Sequence, residues 1–424
     1  MATKRKHVLI LGGNFAGLGA AQKIRDHAGT DIDITLIDRK AYLDYIPNIP
    51  LEMFEGRDPA TTMHMNLIGP LARDGVAFRQ AEVVGLDIDA RKVLVRPNER
   101  PGAVEFAIPY DYLVIALGAR LAYDEIEGFA EFGHSVSDAF LANRLIDYLR
   151  NDYRGGPIAV GSARFTQGSR GRPPWLKTAL AACEGPPVEV SLALAHWLHA
   201  NSKGSARNIT IFTPAPMIAE DAGEKVVAQL LAAASGMGFG YLNNTQGIRR
   251  LTSKGIDFLD GRTLEAELKI VFPNWRPHSF LRGLPISDEV GFIVTDLHMR
   301  NPDHPEILAC GDAAAVTVPK LGAIGHQQAD IVGRQIAKDL GKISADKADA
   351  PFKPVVVCIG DMGGGKAFYI RADSWFGGET QVLRMGRIPY LQKIAYKEVF
   401  FRAGGRVPDW GLPVAEWVSE SASK

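Results

Sequence analysis

The sequence predicts an α/β protein made of two Rossmann-like units, the first of them discontinuous, followed by a C-terminal region of a different kind. Three observations predict this. The apolar run Val8 to Leu11 enters a glycine turn and a small-residue helix start, as a parallel strand does when it hands over to a helix. A second strand-like run opens at Gly156 to Gly161, and a third, Ile307 to Ala309, ends in Cys310-Gly311-Asp312 and more small residues. The division that follows is 1–120 with 286–345 for the first unit, 121–285 for the second and 346–424 for the C-terminal region.

The totals support that division. At 424 residues the chain exceeds what one hydrophobic core organises. Hydrophobic residues at 46% and charged residues at 23%, with 44 Gly and 25 Pro, exclude a disordered or collagen-like chain. Lys+Arg and Asp+Glu balance at 48 each, so no overall field recruits nucleic acid. The start MATKRK is basic, but the apolar run behind it is too short for a signal peptide, and no window approaches the roughly 18 apolar residues of a membrane span. Cys183, Cys310 and Cys358 without an export signal argue against a disulfide scaffold. No metal site is expected.

In the first unit, strand His7 to Leu11 leads through Gly12-Gly13-Asn14-Phe15-Ala16-Gly17 into a helix over Gly17 to Asp26, then strand Ile32 to Ile37 ends in Asp38. About 20 residues lie between the last turn glycine and Asp38, the spacing at which a carboxylate accepts hydrogen bonds from an adenosine ribose while a pyrophosphate rests on the helix N-terminus. Asn14 stands where a second glycine is usual, and the tolerance of Asn for positive φ lets the turn survive. A strand-rich excursion over 76–119 returns through Tyr110 to Gly118, closing on Ala116 and Gly118, where small residues let backbone approach a flat ligand.

The second unit is eroded as a nucleotide site. After Gly161 comes SARFTQGSRGRPPWLKT, with no spaced glycines and no acid at the expected distance, so NAD(P)H binding is not expected there. Cys183-Glu184-Gly185-Pro186-Pro187 precedes an apolar helix, which puts Cys183 at a helix N-terminus. The helix dipole there favours a thiolate and Glu184 opposes it; a small buried hydrophobe is the alternative. Strand Asn208 to Phe212 and a helix around Glu224 to Ala234 complete the unit.

The chain re-enters the first unit at Gly291 to Asp296, and Asp312 follows a buried strand with a helix behind it. Such an acid binds a ribityl chain, and with Asp38 and the opening turn it makes FAD the expected cofactor. Cys310 on that strand reads as packing. Residues 351–358, PFKPVVVC, read as a short buried strand ending in Cys358 and turning through Gly360 to Gly365. The tail from Ile388 mixes Tyr390, Leu391, Ile394, Phe400 and Phe401 with Lys393, Lys397 and Arg402, as an interfacial membrane helix does, or a helix that docks on the core or on a second copy.

These segments together resemble the sulfide:quinone oxidoreductases over almost the whole chain, and more distantly the flavocytochrome c sulfide dehydrogenases and type II NADH dehydrogenases. The resemblance is carried by GGNFAG with Asp38, YDYLVIALG, CEGPPVE, ILACGDAA, VPKLGA with its HQQA run, VVVCIGDMGGG and the aromatic tail. It implies that Cys183 and Cys358 form a redox disulfide attacked by sulfide or polysulfide, with Cys358 the flavin-proximal sulfur and Glu189 a proton acceptor. It also implies that Arg39, Pro47, Asn48 and Gly322 join Gly12 to Gly17, Asp38, Ala116, Gly118, Gly311, Asp312 and Lys320 around FAD. Electrons would then reach a membrane quinone beside Lys320, Ile324, Phe400 and Phe401, in a monotopic protein on the cytoplasmic membrane surface, with homo-oligomers allowed. Ser137 stands where many members carry a third cysteine, so the FAD is expected to be noncovalent. An NADH:quinone oxidoreductase and a flavin-binding redox sensor without catalysis are the alternatives.

Overall fold

The computed structural model describes residues 5–98, 102–172, 175, 177–316 and 319–407; the end of the aromatic tail, with Trp410 and Trp417, lies outside the described residues. In chain order the strands that frame the molecule are β1 (Lys6–Leu11), β2 (Ile32–Asp38), β3 (Ala77–Asp87), β4 (Lys92–Pro97), β5 (Phe106–Pro109), β6 (Tyr112–Ile115), β7 (Gly133–His134), β8 (Ile158–Ser162), β9 (Ile209–Phe212), β10 (Gly240–Leu242), β11 (Leu268–Phe272), β12 (Ile307–Ala309), β13 (Val356–Gly363), β14 (Lys366–Ala372) and β15 (Gln381–Gly386). The helices that position the site are α1 (Phe15–Ala28), α2 (Gly185–Ala200), α3 (Gly322–Asp339) and α4 (Arg387–Arg402).

The first sheet runs β12-β6-β1-β2-β3-β4-β5. Its first five strands are parallel, and β4 and β5 fold back antiparallel. Leu9, Ile10 and Leu11 are fully buried, so the unbroken apolar run of β1 is that of a central strand covered on both faces. β12 reaches this sheet from far along the chain, which makes the first unit discontinuous.

Helix α1 begins two residues earlier than expected, and Asn14 explains why. Its φ of −83° and ψ of −164° are extended, and its side chain accepts from the Phe15 amide at 3.0 Å. Asn14 is therefore tolerated as a cap, and the positive-φ reading is corrected. The residue that needs the left-handed region is Gly12, at φ +98°. Close packing of α1 on α3 uses the small residues: a Cβ at Gly333 would lie 2.7 Å from the Lys23 carbonyl carbon.

The second sheet, β7-β11-β8-β9-β10, is all parallel. Where a nucleotide turn would follow β8, the chain leaves the sheet. Gln167 Nε2 donates to the Ala315 carbonyl at 2.6 Å, the Gly168 amide to Asp288 at 2.9 Å and the Ser169 amide to Glu289 at 2.8 Å, so the segment is tied to the first unit.

The C-terminal region holds a sheet that the sequence did not announce, β13-β14-β15, antiparallel throughout. The strand does not end at Cys358. It continues to Gly363 with Cys358 opposite Ile370, because the Phe368 ring fills the space beside Gly360, where a Cβ would lie 2.1 Å from Cζ. The turn falls instead at Gly363-Gly364-Gly365, all at positive φ. Helix α4 follows β15 and buries Pro389, Lys393 and Phe400.

Candidate active site

A cavity of about 1240 Å³ opens between these parts, and most of the residues singled out above line it. Its wall includes Gly12, Asn14, Phe15, Ala16, Asp38, Arg39, Pro47, Asn48, Ala116, Gly118, Gly311, Asp312, Lys320 and Gly322, together with Cys183, Glu189 and Cys358. Ser137 lines it as well. Five expected residues stand behind the wall. A side chain at Gly13 would meet Leu67, and one at Gly17 the Gly12 carbonyl oxygen at 1.8 Å, so both glycines serve packing. Ile324 and Phe400 are each 2% exposed and belong to the core, and Phe401 packs beside them. The Phe400 ring lies 5.5 Å from Phe15 and 5.8 Å from His326, so it backs the cavity aromatics and does not itself face a ligand.

The nucleotide end is built for close approach. A Cβ at Gly12 would sit 2.2 Å from the Ala116 carbonyl oxygen. Asp38 holds its carboxylate at the turn by accepting from the amides of Gly13 at 2.6 Å and Lys40 at 2.8 Å. The side-chain Nδ2 of Asn48 is buried in the cavity wall with no partner, a donor waiting for an acceptor. Burial pushes the Asp312 carboxyl up to about 6, against the pull of Lys320. These residues fit FAD: Asp38 would take the ribose, the turn and the α1 N-terminus the pyrophosphate, and Asp312 the ribityl hydroxyls.

At the sulfur end, Cys183 immediately precedes Glu184, the residue that caps α2, and its sulfur accepts from the Gly185 amide. A Cβ at Gly185 would lie 3.0 Å from Cys358 Sγ, so α2 brings the start of its first turn directly onto β13. The pull of the helix dipole toward a thiolate is outweighed. Burial pushes Cys183 well above the ordinary thiol value, and the nearby charges of Cys358 and Asp221 act in the same direction. Burial, then Glu189, pushes Cys358 up to about 12. Glu184 is buried beside them and raised to about 8 by desolvation, while accepting from Thr213 Oγ1 at 2.6 Å and the Ala219 amide at 2.8 Å.

Glu189 is held by a group that the sequence placed at a membrane. Lys393, expected as a surface cation of the tail, is 3% exposed and pairs with Glu189 Oε1 at 2.9 Å. Its ammonium also donates to the Pro47 carbonyl at 2.8 Å and to that of Ile359, next to Cys358, at 2.7 Å. The Asp361 amide donates to Glu189 at 3.0 Å. The signal for Lys393 was its spacing: it stands four residues after Pro389 and seven before Phe400, on their buried helix face. Other cavity residues that sequence reasoning missed, Ala81 to Val83, Ser162 and Tyr396, carry no local mark. Cys310 is fully buried away from the other two, its sulfur 3.8 Å from the Ala16 carbonyl, as a packing residue should be.

Residues 6–164 match the family model of the pyridine nucleotide-disulphide oxidoreductases. The chain is 24% identical to sulfide-quinone reductase of Aquifex aeolicus, over 97% of this chain and 94% of that protein. It superposes on the solved sulfide:quinone oxidoreductase of the same bacterium with a TM-score of 0.78 at 21% identity, covering 97% and 95% of the two chains. NDH2 of Plasmodium falciparum shares the fold more loosely, with a TM-score of 0.67, 12% identity and coverage of 95% and 98%. Fold and cavity thus define an FAD-binding oxidoreductase with two dinucleotide-type units. Within that class, the likeness to sulfide-quinone reductase of Aquifex aeolicus runs along nearly the whole chain in sequence, and the fold matches it more closely than it matches NDH2.

Proposed function

We propose that the protein oxidises sulfide to zero-valent sulfur or polysulfide and passes the electrons to a quinone. The observation that carries this reading is the meeting of Cys183 and Cys358 on the wall of the cavity that also holds Asp38 and Asp312. In this structure Cys183 and Cys358 are free thiols; in the oxidised protein they would be joined, and hydrosulfide attacks that disulfide, so that the S–S bond breaks, a persulfide remains on Cys183 and Cys358 leaves as the thiolate. Burial opposes a thiolate at Cys358, and the nearby Lys393 ammonium favours it. Bound FAD supplies a two-electron acceptor. Glu189 receives the proton released as sulfur is oxidised, and Lys393 balances its charge. Cys183 and Cys358 carry the sulfur chemistry, and the residues of 1–120 and 286–345 carry the cofactor.

Among the described residues no helix is long and apolar enough to cross a membrane. Contact with the cytoplasmic membrane surface is assigned to exposed Met385 at the end of β15 and to exposed Ile388 and Leu391 on α4. Anaerobic sulfide should bleach the bound flavin, and Cys358→Ala should abolish bleaching; a variant that bleaches at the wild-type rate overturns the cysteine assignment. NADH bleaching the flavin where sulfide does not would favour an NADH:quinone oxidoreductase instead.

A further inference from the structure

Lys320 is a cavity residue with an unusual setting. Its ammonium donates to the Ala314 carbonyl at 2.7 Å and otherwise meets ring faces: Phe292 with its centroid at 4.8 Å and Phe165 at 5.9 Å. The two rings pack edge to face at 5.8 Å, so each fixes the other. Phe165 belongs to the segment after β8 that replaces a nucleotide turn, and its amide donates to the Leu180 carbonyl at 2.9 Å. The far end of the same segment reaches the lysine too, since the Lys320 amide donates to the Ala182 carbonyl at 2.8 Å, next to Cys183.

We propose that Phe165, with Phe292, is a positioning residue that clamps the Lys320 ammonium against the cavity wall, and that the segment after β8 has exchanged nucleotide binding for this task. The inference rests on reading the cavity as a flavin site. A cation held there offsets negative charge that arrives with electrons, and the rings favour the charged lysine without hydrating it. The charged groups that face Lys320 are Asp312 and Asp288, both of which favour the ammonium; desolvation opposes them and brings Lys320 down to about 8.

The test measures the midpoint potential of the bound flavin against pH, by stepwise chemical reduction beside a reference dye, so that sulfide is not needed. In the wild type the plot should bend near pH 8, and Lys320→Met should remove the bend. Losing one ring face weakens proton binding by roughly 2- to 30-fold, so Phe165→Leu should move the bend to lower pH by about 0.4 to 1.5. Phe165→Tyr, which keeps the face, should restore the wild-type position; Phe165→Met supplies the same test if the leucine variant folds poorly. A bend that stays in place in the ring-less variants, or that survives in Lys320→Met, overturns the proposal. Sulfide bleaching of the wild type is a separate result, so either reading can fail alone.

Discussion

The two α/β units answer the same question in opposite ways: what to do with the space beyond the first strand of a nucleotide fold. After β1 the chain turns at once into α1, and the space stays open, with Asp38 turned toward it. After β8 a long segment intervenes before α2, and Phe165 and Gln167 fill the space and tie it to the other unit. Each strand retains a glycine, yet for different reasons. Gly12, just past β1, is at positive φ and packs against the Ala116 carbonyl, whereas Gly161, within β8, makes room for Phe212, whose carbonyl oxygen would be 2.0 Å from a Cβ. A glycine after a strand therefore says nothing of a nucleotide until the chain beyond it is known.

Three measurements can break this contrast. The largest effect is expected from Gly12→Ala, which is strained at φ +98° and clashes with backbone. It should cost several kcal/mol and leave purified protein nearly colourless, seen in the ratio of flavin to protein absorbance. Asp38→Asn keeps the shape and loses the charge, so flavin affinity should fall about 10-fold with thermal stability nearly intact. Retained affinity in Asp38→Asn would remove the functional difference between the units.

The third measurement concerns Glu184, a buried acid of the second unit. Its pKa is raised from 4.5 to about 8 on folding, so the folded chain holds a proton that the unfolded chain releases. The stability linked to it is full below pH 4.5 and is lost as pH rises to about 8. Glu184→Gln should flatten that part of the profile of melting temperature against pH; an unchanged slope would mean that the acid is charged in place.

Much of the first unit was legible because its signals are local. The Gly12 turn, Asp38 and Gly311-Asp312 each announce a backbone shape or an acid at a fixed spacing, and the fold keeps them together. Asn14 was noticed for the wrong reason, since capping and positive φ draw on the same residue type. The parts that escaped are set by partners distant in sequence. Lys393 is an ordinary surface residue until Glu189 lies opposite it, and the turn expected at Gly360 gives way to a strand because Phe368 needs the room. For Cys183 the sequence could weigh only the helix dipole against Glu184, and the larger influence, desolvation, depends on the packing around it.

The placement of the two sulfurs has a thermodynamic side. Cys183 and Cys358 lie on elements that ordinary packing brings together, while more than a third of the chain runs between them. A bond between them would restrain the unfolded chain more than the folded one, by an amount on the order of 5 kcal/mol for so long a loop. Substrate that opens this bond would then withdraw a brace as well as deliver electrons, and the enzyme would pass through its least stable form once in every turnover.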